Sequence, residues 1–210
     1  MKTALIADEH SIVRIGLQQI LAQRADIEAV EHASAAEEAI DWLRRTVFQI
    51  VIIGLSLSAE DGLDVVKRIR KEFPTIGILV LSAEPEEQWA LRALRAGASG
   101  YLKKDSSAED VNRALDRILA GKRYVGPDVA EQLATLTIFG EEKKPHERLS
   151  NREYQVFQQL SSGKTVTEIA RMLTLSVKTV STHRRHILEK MQLHTNADLV
   201  RYANQNNLHQ

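Results

Sequence analysis

The chain has 210 residues, with 28 Lys or Arg balanced by 28 Asp or Glu, and no cysteine. The length suits two small domains with separate cores, and the missing cysteine excludes a disulfide framework and any Cys-ligated zinc site. No apolar run approaches the roughly 20 residues of a membrane helix, and strand-like residues follow Met1 at once in place of a signal sequence, so no membrane partner and a cytoplasmic protein are expected. The zero net charge hides an asymmetry. From Arg148 onward there are nine Lys or Arg against four Asp or Glu, and residues 1–147 carry the matching acidic excess. A basic C-terminal module joined to an acidic one suits a nucleic-acid reader.

The first half alternates strand and helix patterns, which argues a parallel α/β sheet. Thr3–Ala7 reads as an apolar strand, followed by a helix over Ile12–Ala25 with Ile12, Ile15, Leu17, Ile20 and Leu21. Ile27–His32 is a weaker strand and Ala35–Arg45 a helix. Ile50–Ile53 is a run of β-branched residues, as in a strand buried on both faces. Gly62–Phe73 is helical and stopped by Pro74; Gly77–Leu81 is a further strand; Pro85–Ala96 is helical with Gly97 beyond its end. Gly100–Leu102 is a fifth strand, and Ala108–Ala120 a last helix ended by Gly121. Five such units predict a flavodoxin-like (βα)5 domain over residues 1–121, with its site at the carboxyl ends of the strands.

The residues at those ends are Asp8 and Glu9, Gly54, Ser82 and Lys104. Together with "LIADEHSIVRIGL" and "AGASGYLKKD" they resemble the receiver domain of bacterial response regulators, in its NarL/FixJ subgroup. The resemblance implies that Asp8 and Glu9 descend from a pair that holds Mg²⁺. It further implies that Ser82 and Lys104 contact a phosphoryl group, and that Tyr101 reports the switch. The pattern fails at its centre. Counting back from Asp61-Gly62, Gly54 stands where the family has the Asp that accepts the phosphoryl group, Ser58 where Pro is usual, and Gln49 where an acid is common. Glycine offers neither nucleophile nor carboxylate, and no Asp lies between Thr46 and Glu60. The expectation is a degenerate receiver with no resident cofactor and at most weak Mg²⁺ at the Asp8, Glu9 remnant.

Residues 122–147 read as a linker with a helical patch after Pro127 (Val129, Leu133, Leu136) and a charged joint containing Pro145. Three capping boxes follow: Ser150 with Glu153, Thr165 with Glu168, and Thr195 with Asp198. The first opens a helix with Val156, Phe157 and Leu160 that closes at Gly163; the second opens a short helix with Ile169, Met172 and Leu173 inward. Only Thr174 and Leu175 precede the helix Ser176–Met191, so the pair forms a tight helix-turn-helix. In that helix Val180, Ile187, Leu188 and Met191 fall on one side. Lys178, Ser181, Thr182 and Arg185 project from the other, a chemistry suited to a major groove.

The stretches "LSNRE", "EIARML" and "VKTVSTHRRHILEKM" make residues 148–210 similar to the LuxR-type four-helix DNA-binding domain. The expected DNA contacts are Thr165, Lys178, Thr179, Ser181, Thr182, His183, Arg184, Arg185 and Lys190, with Arg185 at a base edge and Lys178 on phosphate. His183 and His186 lie three apart, but no further metal ligands accompany them, so His183 reads as a phosphate contact or packing residue. The last helix, with Leu199, Val200 and Tyr202, is expected to carry a dimer contact, related proteins being dimers. The sequence thus predicts a sequence-specific regulator of transcription that binds double-stranded DNA as a homodimer, independently of phosphorylation, and is not an enzyme. Two other readings stay open: a phosphorylation-switched regulator in which Gly54 is an engineered change, and an interaction module whose receiver binds a partner regulator or a small ligand in the space vacated at Gly54.

Overall fold

The computed structural model describes residues 2–57, 62–126, 129–131, 133–134 and 144–208. They form two compact units, residues 1–135 and 136–210. In the first, the elements run β1 (Lys2–Ala7), α1 (Ser11–Ala22), β2 (Ile27–Ala33), α2 (Ala36–Arg45), β3 (Ile50–Gly54), α3 (Gly62–Glu72), β4 (Gly77–Ser82), α4 (Glu86–Ala96), β5 (Gly100–Lys103) and α5 (Ala108–Leu119). The sheet is wholly parallel in the order β2-β1-β3-β4-β5. Apart from Lys2 and Thr3 at the start of β1 and Ser82 at the end of β4, its central strands are apolar because both faces are covered. Ala4, Ile6, Ile50, Ile52, Leu79 and Leu81 pack with Leu17 and Leu21 of α1 and Val111, Leu115 and Ile118 of α5. The alternate residues Leu5, Val51, Ile53, Ile78 and Val80 are equally buried, on the side that α2, α3 and α4 cover.

Local signals explain the helix limits. Gly97 ends α4 in the left-handed region (φ +108°), which a side chain would resist. Ser107 and Asp110 close a capping box at the start of α5. The stretch read as linker is in part attached to this unit: Tyr124 bridges Gly100, and the helical turn at 129–131 buries Val129. Leu136 lies outside the described residues, as do Ser58 and Asp61 of the β3–α3 loop. Two apolar residues of α1 depart from the amphipathic reading. Ile12 and Ile15 are 74% and 52% exposed, because α1 packs through Leu17 and Leu21 instead.

The second unit is helical. A 3-10 turn (Pro145–Arg148) leads into α6 (Asn151–Ser161), α7 (Val166–Met172), α8 (Val177–Met191) and α9 (Asn196–Gln205). Ser150, Thr165 and Thr195 form capping boxes; Ser176 caps α8 by accepting from Thr179 N at 3.0 Å. The core joins Val156, Phe157 and Leu160 of α6 to Ile169, Val180, Ile187, Met191, Leu199 and Ala203. Met172, expected inward, is 54% exposed: the seven residues of α7 bury only Ile169 and Ala170.

Candidate functional sites

The first site lies where β1, β3, β4 and β5 end. Asp8 follows β1 and is 2% exposed. Its Oδ1 accepts from the His10 backbone N at 2.9 Å and lies 3.1 Å from His10 Nδ1. Its Oδ2 lies 2.7 Å from Lys104 Nζ, an ion contact whose angle falls outside hydrogen-bond geometry. Lys104 is held there by its own backbone, its N donating to Ser82 O at 2.7 Å. Gly54, the last residue of β3, makes this arrangement possible. A Cβ on Gly54 would stand 2.1 Å from Asp8 Oδ2 and 2.9 Å from Asp8 Cγ, so the Asp8 carboxylate fills the place a side chain would take. The Asp8 carboxylate therefore takes up part of the space expected to be vacated at Gly54.

The other pocket residues are spread more widely. Ser82 is buried, and its Oγ accepts from Glu84 N at 3.1 Å. Tyr101 is turned into the unit, 1% exposed, with its OH donating to Glu84 O at 2.8 Å. Glu9 points outward and approaches His10 Nδ1 no closer than 3.8 Å. Gln49 is engaged at the opposite end of the strands, accepting from Thr3 N at 2.6 Å. Mg²⁺ requires several oxygen ligands in near-octahedral order. Here Gly54 offers none, Asp8 is committed to His10 and Lys104, and Glu9 faces away. Among the described residues no three His, Asp or Glu are grouped to hold a metal ion. The residues present do not fit that ion.

The second site is the outer face of α8. Lys178, Ser181, Thr182 and Arg185 are exposed together. Thr182 Oγ1 donates to Lys178 O at 3.0 Å, which turns its methyl outward along the helix. Arg185 has two loose partners, Glu189 at 3.9 Å and His186 Nε2 at 3.5 Å. Val177, at the first position of α8, is 49% exposed, as Met172 of α7 is at 54%. Thr165 and Thr179 are used by caps: Thr165 Oγ1 donates to Glu168 Oε2 at 2.7 Å, and Thr179 Oγ1 lies 2.8 Å from Ser176 Oγ.

Three further expected DNA contacts, Lys190, Arg184 and His183, are engaged within or packed into their own unit, Lys190 while still exposed. Lys190 Nζ lies 2.6 and 2.9 Å from the two carboxylate oxygens of Glu153, which is 4% exposed. Burial pushes the Glu153 carboxyl up, but hydrogen bonds from Lys190 and Ser150 outweigh it and hold it below the ordinary range. Lys190 is thus the partner a buried acid requires, and its charge is spoken for. Arg184 Nε donates to Asn196 Oδ1 at 2.6 Å, tying α8 to the start of α9. His183 is half-buried, and desolvation lowers its pKa from the ordinary histidine value. On α9, Leu199 is fully buried in its own unit, and the Tyr202 ring packs edge-on against Phe157 and His146, with its OH 2.8 Å from His146 Nδ1. Leu199 belongs to the core and not to a dimer surface; Val200 remains half-buried.

A doubly wound receiver with its acid, hydroxyl and lysine at the strand ends, followed by a helix-turn-helix with a basic outer face, defines a class of two-module regulators. Residues 4–116 match the response regulator receiver domain, and residues 147–203 match the bacterial regulatory proteins of the luxR family. The chain belongs to the two-component response regulators that carry a LuxR-type DNA-binding domain. It is 31% identical to the response regulator UvrY of Escherichia coli over 97% of this chain and 94% of that one. It is 34% identical to the fimbriae Z protein of Salmonella typhimurium over 98% of each. RcsB of Salmonella enterica serovar Typhimurium, bound to promoter rprA in the presence of the phosphomimetic BeF3-, superposes with a TM-score of 0.65 at 26% identity, covering 96% of this chain and 97% of that one.

Proposed function

We propose that this chain regulates transcription in the cytoplasm as a homodimer on double-stranded DNA, without enzymatic activity and without phosphorylation of its receiver. The DNA reading rests on Lys178, Ser181, Thr182 and Arg185, four exposed polar side chains on one face of α8, with Glu189 3.9 Å from Arg185. It draws support from RcsB, whose structures include two dimers bound to two parallel DNAs. Phosphorylation independence rests on one observation: the Asp8 carboxylate occupies the place of a residue-54 side chain and is paired there with Lys104. A receiver switches because phosphorylation changes how its charged groups are paired. Here the lysine already has its anion, and Gly54 has no atom to accept a phosphoryl group.

The test is incubation of the full chain with acetyl phosphate, or with beryllofluoride and Mg²⁺. Intact mass, oligomeric state and affinity for a site selected from genomic fragments are then measured. The expected result is no adduct and unchanged affinity. A stable phosphoryl adduct that alters DNA affinity would refute the reading.

A further inference from the structure

The parallel sheet has a second end, where its strands begin. There a cleft of about 480 Å³ opens between the starts of β1, β3 and β4 and the chain leaving α5. Its floor is apolar, built from Phe48, Ile76 and Ile118, each nine-tenths or more buried. Its rim is cationic. Arg70, Lys122 and Arg123 line it together with Lys2, and no Asp or Glu does. Lys2 is already neutralised by Asp26 at 3.1 Å. The other three have no carboxylate within ion-pair distance among the described residues.

Arg70 is the fixed member of this group. Its Nε donates to Gly97 O at 2.9 Å, Nη1 to Pro74 O at 2.6 Å and Nη2 to Ser99 Oγ at 3.2 Å. These neutral oxygens orient the guanidinium without cancelling its charge. Burial, and then the nearby Arg123 charge, push Arg70 below the ordinary arginine value. Lys122 and Arg123 are exposed at the rim, and Val47 beside them is a 79% exposed apolar side chain. Ligand sites combine a concavity of several hundred Å³ with a few placed charges; here Gln49, Thr75 and Ser99 make the open lining more polar than apolar, and Val47 is its exposed apolar side chain.

We infer that this cleft binds a small organic anion, an apolar ring or branched chain bearing one carboxylate or phosphate head. The head would meet Arg70, Lys122 and Arg123, relieving their mutual repulsion, while the body covers Ile76, Ile118 and the exposed Val47. A purely inorganic anion would leave the floor wet, and a neutral ring would leave the cations unpaired. This site is separate from the Asp8–Lys104 pair, so it stands or falls independently of the phosphorylation reading.

The experiment is calorimetric titration of the full chain with phenyl phosphate, inorganic phosphate and benzyl alcohol. Saturable binding of phenyl phosphate is expected, with each of the other two weaker by about tenfold or more. The rim variant K122S/R123S, which alters only exposed side chains, should weaken phenyl phosphate by about tenfold and leave thermal unfolding of the ligand-free protein unchanged. Absence of saturable binding, or equal binding by K122S/R123S, would overturn the site. Equal affinity for inorganic phosphate or benzyl alcohol would overturn the ligand class.

Discussion

Lys190 and Arg185 carry the same charge on the same helix, yet their surroundings assign them opposite duties. Arg185 is exposed and almost unpartnered; its truncation to alanine should cost about 1–3 kcal/mol of DNA binding and relax specificity at one base pair. Lys178→Ala should instead weaken all sequences alike and lower the slope of log affinity against log salt by about one. Electrophoretic titrations on a selected and a scrambled site, at several salt concentrations, separate the two. Lys190→Met should leave the DNA-facing surface untouched and destabilise its own unit by about 1–3 kcal/mol, because Glu153 is left buried without its cation. The Glu153 carboxyl sits below its unfolded value, so its contribution is full above about pH 4.3 and lost as pH falls through the depressed value. His183 is also lowered, so the unfolded chain takes up its proton first, and stability begins to decline below about pH 6.5. Hydrogen exchange at Ile187 and Leu199 should therefore accelerate in two stages on acidification. In Lys190→Met the second stage should shrink.

At the scale of elements, the turn between α7 and α8 carries an identifiable cost. Thr174 sits at φ 53°, a left-handed conformation that a β-branched residue resists. Thr174→Gly should stabilise the second unit by about 1 kcal/mol, read as slower exchange in α7 and α8, provided the turn keeps its shape. On α9, Val200→Glu is expected to weaken dimerisation on DNA while circular dichroism stays unchanged. If dimer formation survives that change, the helix serves its own core alone. The elements themselves were largely visible in the sequence, because capping boxes and β-branched runs are local signals. What periodicity could not show was pairing across distance. Glu153 and Lys190 are neighbours only in the fold, so Lys190 read as one more free cation. Ile12, Ile15 and Met172 were read from a stripe that shows how apolar a helix is but not how much of it finds a partner. Gly54 was visible as a residue without a carboxylate, whereas the inward turn of Asp8 beside it is set by the fold.

Across the whole molecule, a parallel sheet gathers chemistry at both of its ends. The carboxyl ends hold the closed Asp8–Lys104 pair, and the amino ends hold the open, cation-rimmed cleft. Gly54→Asp tests the closed end directly. The new Cβ would meet Asp8 Oδ2 at 2.1 Å, so Asp8 must rotate away and two carboxylates must share one lysine. Lower thermal stability of the receiver at neutral pH is the expected outcome, partly restored in the double variant G54D/D8N. That geometry is a coupling between two positions. It couples residues 8 and 54: a side chain at residue 54 can stand in place only as the Asp8 carboxylate swings off Lys104, so the charge pairing at the strand ends is set by the size of a residue that carries no charge.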